Sequence, residues 1–533
     1  MKKLRGLRSL AFLALVVALA SAQPAAIDIG SRRELFVDSF LIDQLKGKAE
    51  LRLHHPVPQE IALTHDAPWE GTGSDYHNIF QDGDRYRMYY SARHIVVFPG
   101  KIDADVHPHF LCYAESDDGI HWRKPALGLH EFQGSKANNI VVASGPAGPM
   151  NIVTEISAVF KDANPNAAPD ARYKALLGSK EPTGLLAFKS PDGIHWSPML
   201  TSPVITDGAF DSQNLAFWDA VRGEYRAYWR YFTRGTSARL AVGVRAIYTA
   251  TSRDFLHWEN QAAVGYVDSP PEHLYTNQVK PYDRAPHLFI GFPTRYVERQ
   301  WKEGELDDAR APASAETIQH WSPSMRALPE AAARELRASS SERYGTALTE
   351  GLIMVSRDGV TFKRWNEAFL RPGIERPGTW NYGHQFIGWH VVETKSSLAG
   401  APNELSLYAG EGYWIGKGSA VRRFTLRLDG FVSAQAPMSG GELLTKPLRF
   451  RGQSLALNFS TSAAGSVRVE IQDANGQPLP GFALDDCPPI FGDTIERSVT
   501  WVKGRDVSAL AGQAVRLRFV LNDADLFAFQ FKE

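Results

Sequence analysis

The sequence predicts an all-β protein, a five-bladed β-propeller followed by a C-terminal β-sandwich. Three observations predict it: a turn motif that recurs four times, an inner-strand motif ahead of the turns, and a change of pattern after Ala436. Short strands recurring in sets, each set closed by the same turn, are the signature of blades arranged radially.

Taken in chain order, Lys2, Lys3, Arg5 and Arg8 precede an apolar run from Leu10 to Leu19, and Ala20-Ser21-Ala22 forms a small-x-small cleavage site before Gln23. Residues 1–22 therefore read as a signal peptide, which makes the mature protein secreted or periplasmic. The run falls short of the ~20 residues that span a bilayer, and no later segment is apolar enough, so no membrane span is expected.

Residues 23–436 carry the expected blades. Ser116-Asp117-Asp118-Gly119-Ile120-His121-Trp122 returns as Ser190-Pro191-Asp192-Gly193-Ile194-His195-Trp196, as Ser252-Arg253-Asp254-Phe255-Leu256-His257-Trp258, and as Ser356-Arg357-Asp358-Gly359-Val360-Thr361-Phe362. Ser and Asp side chains accept from nearby backbone N–H groups and Gly supplies positive φ, so these are hairpin turns whose Asp residues are structural. Residues 423–431, ending Asp429-Gly430-Phe431, form a degenerate fifth copy. Ahead of the turns, strands open on acids: Asp75-Tyr76-His77-Asn78, Glu155-Ile156-Ser157-Ala158, Asp211-Ser212-Gln213-Asn214 and Glu272-His273-Leu274-Tyr275. The fifth opening, Trp380-Asn381-Tyr382-Gly383-His384, lacks the acid. If these strands line the channel, Asp75, Glu155, Asp211 and Glu272 converge at one mouth. Crowded carboxylates raise at least one pKa, which keeps a proton available for acid catalysis.

Residues 297–345 interrupt the fourth unit with a Glu-, Arg- and Ala-rich insertion, in which Leu328-Pro329-Glu330 opens a helix from Ala331 to Leu336. It is expected as a surface excursion, with a rim or lid as the alternative. Residues 437–533 switch to alternating strands such as Ser466-Val467-Arg468-Val469-Glu470-Ile471, the pattern of a sandwich.

Composition narrows the function. With 58 Lys+Arg against 59 Asp+Glu in 533 residues there is no basic face for phosphates, so nucleic acid is not an expected partner. Two cysteines, Cys112 and Cys487, cannot build a disulfide framework or a Cys-rich zinc site.

In its five strand units, acid-opened inner strands and trailing sandwich, the chain resembles the five-bladed propeller glycoside hydrolases of families 32, 43 and 68. Its layout is most similar to family 32, although the signatures W-[MI]-N-D-P-N-G, R-D-P and E-C are absent as written. The resemblance implies a glycosidase with Asp75 as nucleophile or base, Asp211 stabilising the transition state and Glu272 as general acid. Glu70 and Glu155 are the reserves for these roles. Sugar hydrogen-bonding is expected from Glu155, His77, Gln213, Asn277, Arg295 and His384, and stacking from Trp69, Trp218, Tyr275 and Trp380. A carbohydrate is the expected partner, with furanosides such as fructosyl or arabinosyl units as the first class. No cofactor is required, though an acidic mouth could hold a structural Ca²⁺. Two other readings are a sialidase-like exo-glycosidase, because the turn resembles an Asp box, and a non-catalytic carbohydrate-binding propeller.

Overall fold

The computed structural model describes residues 25–236, 241–297, 327 and 331–533. The expected signal peptide, Leu328 to Glu330 and most of the insertion lie outside the described residues.

The fold is a five-bladed β-propeller with a β-sandwich beside it. Each blade is an antiparallel sheet that grows outward from an inner strand. The first runs Asp75–Asp82, Arg85–Ala92, Phe110–Ser116 and Trp122–Arg123. The second runs Met150–Lys161, Tyr173–Lys180, Thr183–Ser190 and Ser197–Pro198, and the third Leu215–Asp219, Glu224–Phe232, Arg245–Ser252 and Trp258–Ala263. The fourth places Lys280–Tyr282 innermost, then Ala285–Gly291, Met354–Ser356 and Thr361–Arg364, with Gly265–Val267 added in parallel outside.

The last blade is closed by the other end of the chain. Val392–Thr394, Glu404–Glu411 and Ala420–Arg427 supply three strands, and Val57–Thr64 pairs antiparallel on the outside of the third. After Asp429-Gly430 the chain leaves for the sandwich instead of forming a fourth strand, and the N-terminal strand takes that place.

The recurring turns fold as their residues dictate. Ser190 Oγ accepts from the Gly193 amide at 2.8 Å, and Asp192 Oδ1 accepts from Ile194 and His195 at 2.8 Å each. Phe255 takes the glycine place in the third copy at φ 71°. Burial works against ionisation of Asp192, yet the bonds from His195 and Ile194 hold it well below the usual carboxylate range. The turns join third to fourth strands, so they sit at the end of the ring opposite the inner-strand starts.

The sandwich is built from both termini. Ser454–Asp473 and Val515–Lys532 pair along their length, with register shifts at Asn458/Phe459 and Thr461/Ser466. Such bulges let one strand bend from one layer to the next. Ile27–Gly30, Glu34–Leu35, Ile42–Gly47 and Glu50–Leu53 join the same sheet. The sheet thus extends beyond residues 437–533: strands between 27 and 47 pair with the C-terminal segment, and Glu50–Leu53 pairs with Val432–Ala436, which joins the same sheet. The cause is the chain's return to its start for ring closure. Cys112 is buried in the first blade and Cys487 in the sandwich core, both as free thiols.

Two carboxylates fasten the halves. Fully buried Glu34 meets Arg357 of the fourth blade's turn at 3.0 Å and His287 at 3.4 Å. Burial alone would raise its pKa, but the close approach of His287 and the charges of Arg357 and Arg32 bring it to about 2. Asp429 accepts from Arg284 at 2.8 Å, from Tyr282 at 2.8 Å and from Arg33 at 2.9 Å.

Candidate active site

The inner strands begin at one mouth of the ring, and below it two glutamines close the axis. Gln213 donates to the Tyr76 carbonyl at 2.9 Å and the Ser157 carbonyl at 3.3 Å. It accepts from Gln278 at 2.7 Å, and Gln278 also donates to the Ile387 carbonyl at 2.9 Å. All five blades are tied in this way. Gln213, expected to bind sugar, has both ends of its amide spent on the protein.

Asp75 sits above this floor. It opens the first inner strand opposite Ser91 and is 2% exposed. Its Oδ1 accepts from the Tyr76 amide at 2.8 Å and stands 3.5 Å from His77 Nδ1. Buried Oδ2 has no hydrogen-bond partner among the described residues. Burial pushes the carboxyl up, against the opposing pull of His77, the Tyr76 amide and Arg93.

Arg93, just beyond the second strand, is the neighbour the sequence did not disclose. One of its guanidinium nitrogens pairs with Glu155 and another donates to the Tyr413 hydroxyl. His109 Nδ1 lies 3.5 Å from the other Glu155 oxygen. A cleft of about 630 Å³, lined by Arg93, Glu155, His107, His109 and Lys180, opens beside this pair. Aromatic rings wall the mouth: Tyr275 stacks on Phe386 at 5.2 Å, Tyr76 on Phe386 at 6.1 Å, and Tyr382 stands 6.2 Å from both Tyr413 and Trp414. The insertion reaches this wall. From the helix Ala331–Ser340, Arg334 donates to Asn381 Oδ1 at 2.6 Å and Arg337 to the Trp414 carbonyl. The described part of the insertion is thus a rim rather than a surface excursion.

The four acids do not share one cluster. Asp211 is largely exposed and ion-paired with buried Arg230. Glu272 points into an ion-pair group on the outer side of blade four, 2.8 Å from Arg364 and 3.2 Å from Arg295, which also meets Glu350 at 2.7 Å. None of these contacts reaches Asp75 or Arg93. Glu70 is consumed by Tyr90, Lys124 and the Ala67 amide.

His77 packs in a three-ring cluster with His65 and Tyr90, its Nε2 3.1 Å from His65 Nε2. Asn277 accepts from the Val279 amide at 3.3 Å. His384 accepts from the Trp380 amide at 3.0 Å, and burial takes its pKa down to about 3, so it is neutral. Of the stacking candidates, Tyr275 lies in the mouth. Trp69 bonds Asn139, Trp380 bonds the Gly373 carbonyl, and Trp218 lines a separate cavity of about 540 Å³ at the opposite end. Among the described residues, no three His, Cys, Asp or Glu side chains are grouped to hold a metal ion. No helix there is long and apolar enough to cross a membrane.

The chain matches no family model and no curated protein. It is similar to solved structures that include a thermostable family-43 glycoside hydrolase, at 11% identity and TM-score 0.37 over 68% of this chain and 92% of that one. Another is the catalytic domain of a GH62 α-L-arabinofuranosidase from Coprinopsis cinerea, at 9% identity and TM-score 0.39 over 70% and 97%. A third is an N-acetylgalactosamine deacetylase from F. plautii in complex with blood group B trisaccharide, at 11% identity and TM-score 0.37 over 70% and 96%. At these values the likeness says nothing about chemistry; the strand pairing itself defines the propeller.

Proposed function

We propose that the protein is a secreted glycoside hydrolase whose working carboxyls are Asp75 and Glu155. The observation that carries this reading is the Asp75–Arg93–Glu155–Tyr413 group inside an aromatic mouth. Two carboxyls with different environments are what glycoside cleavage asks for. Asp75, pushed up by burial, keeps its proton longer than a free Asp and donates it to the leaving oxygen. Glu155, aimed by Arg93, attacks the anomeric carbon or activates water. This exchanges the roles drawn from the family resemblance: Asp75 becomes the acid, and Glu272 holds blade four together.

The test is hydrolysis by the mature chain of arabinans, fructans, xylans, pectic glycans and aryl glycosides. Asp75→Asn should slow natural substrates by about 10²–10⁴-fold, the usual worth of an acid catalyst. Aryl glycosides with good leaving groups should suffer much less. Equal loss on both kinds of substrate would make Asp75 the nucleophile. No turnover of any glycan would sink the hydrolase reading in favour of a binding propeller.

A further inference from the structure

Beside the Asp75 group, blade three buries positive charge that its own acids do not balance. Arg230 lies near the end of the second strand, Glu224–Phe232, and Arg245 opens the third; they are 2% and 4% exposed. Both guanidinium groups lie over the same two rings, Arg230 at 5.0 Å from Tyr275 and 5.3 Å from Phe232, Arg245 at 5.6 and 5.4 Å. Tyr296 covers Arg245 at 4.4 Å.

Ring faces attract cations but do not accept all of their N–H bonds. Arg230 Nε and Nη1 and Arg245 Nε are buried without a hydrogen-bond partner among the described residues. Among the described residues the one carboxylate in contact is Asp211, on Arg230, and its side chain is 76% exposed. His273 Nδ1, 3.3 Å from Arg245 Nη1, can accept a hydrogen bond but brings no compensating charge; burial and the two arginines take its pKa down to about 4 and keep it neutral. Arg245 meets no carboxylate among the described residues and Arg230 meets only an exposed one, and burying guanidinium charge with so little compensation is costly, which suits the pair to take up an anion. Tyr275 joins the pair to the mouth, since its ring stacks on Phe386, which in turn stacks on Tyr76 beside Asp75.

We propose that Arg230 and Arg245 form a subsite for an anionic group, a carboxylate or sulfate ester carried by the sugar, with Asp211 as the resident counter-ion that the group displaces. Planar guanidinium forks suit both anions. The proposal deepens the hydrolase reading and rests on it for the sugar alone.

Its test is binding, read by calorimetry on the full mature chain in an Asp75→Asn background that slows turnover below the time of the measurement. The probes are galacturonate oligosaccharides, glucuronate-bearing xylan oligosaccharides and sulfated galactan oligosaccharides, beside neutral arabino- and xylo-oligosaccharides. An anionic set should bind at least tenfold tighter than the neutral ones, and which set does so distinguishes carboxylate from sulfate. Arg245→Gln should erase that advantage. Asp211→Asn, an exposed change that spares the fold, should strengthen anion binding several-fold and leave neutral sugars unmoved. Equal binding of neutral and anionic probes, absence of binding, or no response to Asp211→Asn overturns the subsite. Anion binding without turnover of the same glycan by the unaltered chain overturns the hydrolase reading and leaves the subsite standing.

Discussion

Ser91 and Arg230 hold matching places on blades one and three, and they separate the fates of two acids. Asp75-x-x-Asn78 and Asp211-x-x-Asn214 are the same strand opening. Asp75 faces an uncharged serine, whereas Arg230 reaches Asp211 and pairs with it. A single exchange in the second strand thus leaves one carboxyl with an unpartnered oxygen and makes the other a counter-ion. The sign for stability follows. A carboxyl whose folded pKa lies above its unfolded value favours the unfolded state once ionised; the cost appears as pH rises and vanishes below the unfolded value of about 4. Asp75→Asn should therefore melt higher than the parent at pH 7 and level with it near pH 3, read by calorimetry. Gly383 carries a second residue-scale prediction. It sits at φ 82°, and a Cβ there would stand 2.2 Å from the Tyr413 ring. Gly383→Ala should cost about 1–3 kcal/mol and displace Tyr413 from Arg93, lowering activity at least tenfold.

At the scale of elements, the turns are interchangeable supports at the far end from the chemistry. Asp192→Ala removes the acceptor for two amides and should cost about 1–2 kcal/mol in denaturant unfolding while leaving turnover unchanged. The strands and turns of the propeller were legible because each rests on local rules: Ser and Asp accept from the next residues' amides, and apolar positions alternate. The site was legible only in part. Asp75 opens its strand as the repeat suggests and Glu155 sits within Met150–Lys161, but their separation from Glu272 depends on where Arg364, far away in sequence on the fourth strand of blade four, points its guanidinium. Arg93 and Tyr413 meet from opposite ends of the ring's sequence, and no spacing rule joins them. The repeated Tyr-Arg-x-Tyr of the second strands, Tyr86 to Tyr89 and Tyr225 to Tyr228, offered one usable signal. Aligning them sets Ser91 against Arg230.

At the scale of the molecule, Glu34 fastens the sandwich to the ring. Its folded pKa near 2 lies below the unfolded 4.5, so its stabilisation is complete above about 4.5 and is lost as pH falls toward 2. A drop of that size is worth on the order of 3 kcal/mol. Glu34→Gln should lower the melting temperature at pH 7, and the gap to the parent should close as the buffer is taken to pH 2.5.

Ring closure by Val57–Thr64 has a kinetic consequence. The strand that seals the last blade is made early in synthesis, and its partner Ala420–Arg427 arrives only after more than three hundred further residues. Until then the first blade lacks its neighbour, and residues 27–53 have no sheet to join. Closing so long a loop is slow, and until it closes the first strands must be kept from pairing elsewhere. Once the clasp is shut, neither end can peel away without opening both the ring and the sandwich. Such a chain folds late and comes apart as one body.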